Sequence, residues 1–169
     1  MKSATAKTLG VNDCFQFAKH LKGVGLFNNF SDQQILEVLN KAQHRSCPLN
    51  QLLLIERQIA CDFFLVIEGK IEIEMQLHQP SQEKILAQIS PGEIIGELAL
   101  VGIKRRTASA RALINTQLLS WDVAEMMLYL DSNPLVGYHF MKNLASILAK
   151  RVVSTNQELR NTCYQFIYQ

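Results

Sequence analysis

A series of short apolar segments, separated by turn residues, fills the middle of the chain and restricts its fold more than any other sequence feature. Segment 71–75 alternates apolar with acidic residues, so its apolar and acidic side chains lie on opposite faces of a strand, whereas segments 52–55 and 63–67 are continuous apolar runs that suit strands covered on both faces. Turns are predicted at 79–82 and 91–92. The predicted strands cover residues 52–55, 63–67, 71–75, 84–89, 111–114 and 118–121. Short strands at regular spacing predict a small barrel or jelly roll.

Helices are predicted before this strand region. Residues 1–11 are small and polar, and we expect a frayed end there. A short helix is predicted to start at Asn12 or the next residue and to end before Gly23. A second helix begins with a capping-box pattern at Ser31, and its apolar periodicity continues until Pro48 forbids further helix.

Two more helices are predicted after the strands. Asp122 starts a second capping pattern, and the pair Asn133–Pro134 predicts a cap followed by proline at the first position of a last helix that runs to the end of the chain. The inner apolar stripe of that helix comprises Leu144, Ile147, Leu148, Val152, Leu159, Cys163 and Phe166. We expect a second copy of the chain to cover this stripe, and the alternative is that the stripe packs back on the strand region.

Composition and charge exclude few classes of protein. The net charge of +2 is too small to indicate binding to nucleic acid or to an anionic membrane. No apolar run approaches the roughly 20 residues of a membrane span, and the N-terminus lacks the apolar block of a secretory signal, so we expect a cytoplasmic protein. The four cysteines are widely separated and are expected to be free thiols, and the four histidines are scattered. The sequence therefore predicts no metal site, and nothing in it looks catalytic.

The segment from Gly96 to Thr107 carries the residues that suit an anionic ligand. Gly96 precedes a short helix-forming tetrad, and a glycine at a helix start lets an anion approach exposed backbone N–H groups. Arg106 follows ten residues later, so a loop can return its guanidinium to the same place, where it can hold a phosphate by two parallel hydrogen bonds. Glu97 would repel a phosphate but can accept a hydrogen bond from a sugar hydroxyl. A phosphate beside a sugar hydroxyl indicates a nucleotide.

This segment resembles the phosphate-binding cassette of cyclic nucleotide-binding domains. The likeness rests on GELAL at 96–100 followed by RTAS at 106–109, with the spacing of the kinase-type cassette, and on DFFLVIEG at 62–69, which is similar to the family's paired strand and turn. It covers about residues 26–166. The family includes the catabolite activator protein, the regulatory subunits of cAMP-dependent kinase and the cyclic-nucleotide-gated channels.

The resemblance implies a role for individual residues. Arg106 would bind the cyclic phosphate, and Glu97 the ribose 2′-hydroxyl. The backbone amides of Leu98 and Ala99, with the hydroxyl or amide of Thr107, would complete the phosphate site, and Ser109 would only finish the strand. Thr155 and Asn156, on the predicted last helix, are similar to residues that contact the base, one from each subunit. The implied ligand site is therefore Gly96, Glu97, Leu98, Ala99, Arg106, Thr107, Thr155 and Asn156.

The resemblance also implies the fold class and the domain limits. We expect a mainly β, α+β fold, namely an eight-stranded jelly-roll β-barrel with N-terminal helices and a C-terminal helical subdomain that ends in a long helix. Its units are an N-terminal extension at 1–25, the β-roll with its leading helix at 26–121, and the C-terminal helices at 122–169. Two positions depart from the family pattern: Arg57 stands where a turn glycine is common, and Cys61 where an aspartate is usual.

The expected function is that of a signal receiver. It would bind cAMP or cGMP without a further cofactor, and transmit binding through the C-terminal helices to an unknown downstream protein. Thr107 suits either ligand, whereas an adenine contact by Thr155 favours cAMP. A homodimer through the last helix is expected. Direct DNA binding is not expected, because Gln169 leaves no length for a helix-turn-helix. The alternatives are a degenerate dimeric scaffold whose pocket binds no ligand, and a metal-dependent jelly-roll enzyme of the cupin type.

Overall fold

The computed structural model describes residues 5–8, 11–76 and 83–167, so the predicted turn at 79–82 lies outside the described residues. The helices are α1 (Val11–Lys22), α2 (Asp32–Leu39), α3 (Val123–Ser132) and α4 (Pro134–Ile167), with short 3₁₀ turns at Gly25–Phe27 and Glu97–Val101. The strands are β1 (Thr5–Thr8), β2 (Gln43–Cys47), β3 (Leu52–Leu54), β4 (Asp62–Glu68), β5 (Ile71–Gln76), β6 (Glu83–Ile89), β7 (Ile94–Ile95), β8 (Ser109–Ala112) and β9 (Thr116–Asp122).

The strands form two antiparallel sheets. One sheet has the order β1-β2-β9-β4-β7, and the other has the order β3-β8-β5-β6. The eight strands from β2 to β9 build the expected jelly roll, and the long C-terminal helix follows it, so the predicted α+β fold class is confirmed. The strand β1 is an addition at the edge of the first sheet, where Ala6 pairs with Arg45. The prediction of a frayed end was therefore wrong at Thr5–Thr8, because β2 offers an unpaired edge that the extension covers.

The first sheet is buried on both faces by two separate apolar clusters. Successive side chains of β4 point to opposite faces, so Phe63 packs among the helices while Phe64 packs between the two sheets. On the helix side, Phe63 stacks on Trp121 with ring centroids 5.2 Å apart. The indole nitrogen of Trp121 donates a 2.8 Å hydrogen bond to the backbone oxygen of Val38. The continuous apolar run predicted at 63–67 is thus a strand covered on both sides.

The N-terminal half of the sequence contains one element that the patterns concealed. The predicted capping box is present, since Ser31 accepts from the Gln34 amide and Gln34 reaches back to Ser31. However, α2 ends at Leu39, and residues predicted to continue it form β2 instead. The sequence of β2 is polar, and its strand conformation comes from pairing with β9 on one side and β1 on the other.

The C-terminal helices follow the prediction closely. The Asp122 carboxylate accepts a 2.8 Å hydrogen bond from the Glu125 amide and so caps α3. The backbone oxygen of Asn133 accepts from the Gly137 amide at 2.9 Å, which begins α4, whereas the Asn133 side chain donates back to α3 at Tyr129. Among the described residues, no helix has the length and hydrophobicity needed to cross a membrane.

The apolar stripe of α4 divides into two parts. Leu144 is buried against the helix-side core, and Ile147 and Leu148 pack at its edge. Farther along the helix, Val152 and Leu159 are exposed. Cys163 is also exposed, and the side chain of Phe166 lies outside the described residues. Two covers were expected for the stripe, a second copy of the chain or the chain's own body. The first part of the stripe is covered by the chain's own body.

Candidate functional site

The site is built around a cavity of about 1080 Å³ between the roll and α4. The second sheet lines it with apolar side chains, including Ile73 and Met75 of β5, and α4 closes one side with residues from Leu148 onward. All eight residues that were assigned to a ligand from the sequence line this one cavity, although Thr155 and Asn156 are 48 or more positions from the rest in sequence. They are Gly96, Glu97, Leu98, Ala99, Arg106, Thr107, Thr155 and Asn156.

Gly96 forms the turn that brings the cassette to the cavity. Its φ of 77° lies in the left-handed region, which side chains other than hydrogen disfavour. A Cβ atom at this position would meet Nη1 of Arg106 at 2.6 Å. Glycine is therefore required both by the backbone conformation and by the close approach of the Arg106 guanidinium. The 3₁₀ turn Glu97–Val101 begins directly after it.

Arg106 is held in place by its backbone and by an ion pair. Its amide donates to the Gln58 oxygen and its oxygen accepts from the Arg57 amide, both at 2.8 Å, so the neighbouring turn fixes the main chain. The side chain is buried, with 7% of the residue exposed. Nη2 pairs with the Asp62 carboxylate, and Nη1 donates to the Gly96 oxygen at 3.4 Å. Asp62 was not among the predicted site residues, because it lies 44 positions away from Arg106 and opens the strand segment 62–69 rather than the cassette.

Glu97 directly follows Gly96 as the first residue of the 3₁₀ turn and is only 4% exposed. Its carboxylate pairs with Nη1 of Arg151, and Nη2 of Arg151 donates to the Ile94 oxygen. A buried carboxylate is stabilised by such a cation, since desolvation disfavours an unpaired charge. Arg151 therefore attaches α4 to the cassette. Arg151 lies in the predicted last helix, but no contact was predicted for it.

Some of the remaining predicted residues already make hydrogen bonds within the chain, and others are exposed to the cavity. The Ala99 amide donates to the Gly96 oxygen at 3.3 Å, so a phosphate would share this donor. Thr107 is exposed to the cavity, as are Thr155 and Asn156 on α4. The Ser109 hydroxyl accepts from the Glu56 amide at 3.0 Å, a structural role in keeping with the strand position expected for it.

The two departures from the family pattern have clear local outcomes. Arg57 keeps the turn that a glycine would form, with φ at 68°, a conformation costly for a residue with a side chain. Cys61 is exposed, and the adjacent Asp62 supplies the carboxylate that pairs with Arg106. Cys47 and Cys163 are free thiols like Cys61, and burial raises the pKa of Cys47.

The described residues include no group of three or more His, Cys, Asp or Glu side chains that is placed to hold a metal ion. The lining of the cavity has one buried cation, Arg106, one buried anion, Glu97, and a wide apolar wall.

Comparison with known proteins identifies the family. The family described as cyclic nucleotide-binding domain matches residues 44–133, which is more than half of the chain. The cyclic AMP receptor protein of Thermus thermophilus is 30% identical over 139 residues, which are 82% of this chain and 62% of that protein. The chain thus spans less than two thirds of the length of that relative.

Solved structures show the same fold. A cyclic nucleotide-binding domain from Methylobacillus flagellatus superposes with a TM-score of 0.82 at 18% identity, and the match covers 94% of this chain and 89% of that one. The catabolite activator protein of Thermus thermophilus gives a TM-score of 0.68 at 29% identity, with 80% of this chain and 62% of that chain covered. From its sequence match and its fold, the chain belongs to the cyclic nucleotide-binding domain family.

Proposed function

We propose that this chain is a cyclic nucleotide receptor that binds cAMP, or alternatively cGMP, in the cavity beside α4 and signals through its C-terminal helices to a partner protein. The observation that carries the proposal is the placement of Arg106 and Glu97. Both are almost fully buried and both line the same cavity, Glu97 directly follows Gly96, and Nη1 of Arg106 donates to the Gly96 oxygen. A buried cation next to a buried anion suits a ligand that has a phosphate next to a hydroxyl.

The phosphate would bind on the Arg106 side. A guanidinium can donate two parallel hydrogen bonds to the phosphate oxygens, and the 3₁₀ turn adds the amides of Leu98 and Ala99. Thr107, the next residue after Arg106, also lines the cavity and would supply a hydroxyl. Since Arg106 is already desolvated, its attraction for an anion is stronger than that of a guanidinium in water.

The sugar and the base would connect the ligand to α4. Glu97 would accept a hydrogen bond from the ribose 2′-hydroxyl, and Thr155 and Asn156 would contact the base. Because Arg151 already pairs with Glu97, a ribose that takes this carboxylate changes the attachment of α4 to the cassette. The ligand would therefore have unequal affinity for two arrangements of α4, one with the Arg151–Glu97 pair and one without it. Signalling requires such a difference in affinity. We favour cAMP because Thr155 suits adenine and because the Thermus relative is named a cyclic AMP receptor.

The wider proposal keeps the expected organisation. The chain would comprise the extension at 1–25, the β-roll at 26–121 and the signalling helices at 122–169, would form a homodimer through α4, and would act in the cytoplasm on a downstream protein. It would bind its ligand without converting it, since the matched family is described as a binding domain.

Titration of the purified chain with cAMP and cGMP by calorimetry tests this proposal. We expect saturable binding that is tighter for cAMP, and a loss of roughly two to four decades in affinity for Arg106→Ala, because a phosphate would lose its buried cation. Arg160→Ala is the control, since Arg160 is exposed on α4 and does not line the cavity. Unchanged affinity in Arg106→Ala contradicts the assigned role.

A further inference from the structure

The Asp62 carboxylate lies between two guanidinium groups, only one of which belongs to the cassette. Its Oδ1 pairs with Nη2 of Arg106, and its Oδ2 lies 3.6 Å from Nη2 of Arg45 on β2. The three residues come from positions that are far apart in sequence, and they meet at the inner face of the first sheet beside Phe64. Arg45 thus belongs to the surroundings of the phosphate site although it does not line the cavity.

The side chain of Arg45 is incompletely satisfied where it lies. Its guanidinium carbon is 5.5 Å from the centroid of the Phe64 ring, and the side chain is 27% exposed. Its Nε is buried and has no hydrogen-bond partner among the residues that the structure describes. Leaving a buried donor unpaired costs free energy. Asp62 is the nearby acceptor that can remove this cost, by moving closer to Arg45.

The charges of this cluster explain when Asp62 would move. Asp62, Arg45 and Arg106 together carry a net charge of +1, and a cyclic phosphodiester carries a single negative charge at neutral pH. Binding of the phosphate to Arg106 therefore yields a neutral cluster. If Arg45 were absent, Asp62 would neutralise Arg106 by itself, and the phosphate would bring an excess negative charge next to a partly buried carboxylate.

We propose that Arg45 is a positioning residue of the phosphate site. It shares the Asp62 carboxylate with Arg106, and it pairs more closely with that carboxylate when a phosphate binds Arg106. The ligand in this statement rests on the proposed function. The role itself concerns any phosphate held by Arg106. It means that Arg45, which lies on β2 and outside the cassette, affects the affinity for the phosphate.

A double-mutant cycle between Arg45 and Asp62 tests the role. Affinities for cAMP are measured by calorimetry for the wild type, Arg45→Gln, Asp62→Asn and the double variant, after circular dichroism has shown that each is folded. We expect Arg45→Gln to bind roughly tenfold more weakly than the wild type, but to change affinity by less than about twofold when Asp62 is already Asn. Arg45→Lys keeps the charge, and we expect it to restore most of the loss. A purely structural effect of Arg45 would be equal in both backgrounds.

Each outcome decides one of the two proposals. Equal losses in the two backgrounds, or no loss in Arg45→Gln, overturn the role of Arg45 while nucleotide binding stands. If the wild type binds neither cAMP nor cGMP, the proposed function fails, and the same cycle is then measured with inorganic phosphate as the probe. If the wild type does not bind inorganic phosphate either, the role of Arg45 is overturned as well. Should Arg45→Gln fail to fold, Arg45→Met takes its place in the cycle, and the same comparison between the two backgrounds decides.

Discussion

Gly96 and Gly92 share a backbone conformation but differ in what surrounds them. Both have φ in the left-handed region, at 77° and 87°. A Cβ atom at Gly92 would meet nothing within 4 Å. A Cβ atom at Gly96 would meet Nη1 of Arg106 at 2.6 Å and the backbone oxygen of Asp62 at 3.1 Å. The two positions therefore separate the cost of the conformation from the cost of displacing the Arg106 side chain.

We expect Gly92→Ala to lower the free energy of unfolding by about 1–2 kcal/mol and to leave ligand affinity unchanged. Gly96→Ala should lower the free energy of unfolding by at least as much. It should also weaken cAMP binding by roughly 10- to 100-fold, because the Arg106 guanidinium must move and give up its hydrogen bond to the Gly96 oxygen. Urea denaturation and calorimetry on both variants measure these quantities. Equal affinities for the two variants contradict the steric argument at Gly96.

The cassette residues were predictable because they lie close together in sequence and their order is characteristic. Gly96, Glu97 and Arg106 lie within eleven positions, so a motif reveals them. Their partners were not predictable in this way. Asp62 and Arg151 are single charged residues on a strand and a helix, and only the fold decides that each meets a cassette residue across 44 and 54 positions. Ion pairs of this range leave no periodic signal.

Among the elements, the helices and long strands were predictable, whereas the polar and very short strands were not. The capping patterns gave the starts of α2 and α3 correctly, since caps are local hydrogen bonds. The strands β2 and β7 carry no usable pattern, because β2 is polar and β7 has only two residues. Their conformation depends on pairing with β9 and β4, which is a tertiary effect that the local sequence does not contain.

The contact between α4 and the cassette gives a prediction about motion. Arg151 holds the helix to Glu97 and Ile94 at the point where the buried part of α4 gives way to the exposed part. In Arg151→Met, we expect the amides of α4 beyond Leu148 to exchange with solvent about fivefold faster, as for the loss of about 1 kcal/mol of local stability. Exchange measured by mass spectrometry tests this. Arg160→Met, an exposed position farther along α4, is the control, and the same change in both variants contradicts the holding role of Arg151.

Past Leu148, α4 leaves apolar side chains exposed among the described residues. Val153 and Leu159 do not line the cavity and are more than half exposed, although the first part of α4 is buried against the same chain. The sequence could not show this division, because the apolar stripe continues along the helix, whereas only its first part packs against the helix-side core. The exposed part is the surface on which the proposed homodimer depends.

Leu159→Glu tests that surface without altering the ligand site, because Leu159 does not line the cavity. If two α4 helices pack together there, the substitution places an unpaired carboxylate in an apolar interface and should raise the dimer dissociation constant by at least roughly a hundredfold. Leu128 is a matched control on α3, since it is 69% exposed and Leu159 is 61% exposed. Sedimentation velocity over a range of concentrations should give a dimer for the wild type and for Leu128→Glu, and a monomer for Leu159→Glu. A monomeric wild type, or equal dissociation of both variants, excludes α4 as the dimer interface. If monomeric Leu159→Glu retains its affinity for cAMP, the cavity of one chain suffices for binding.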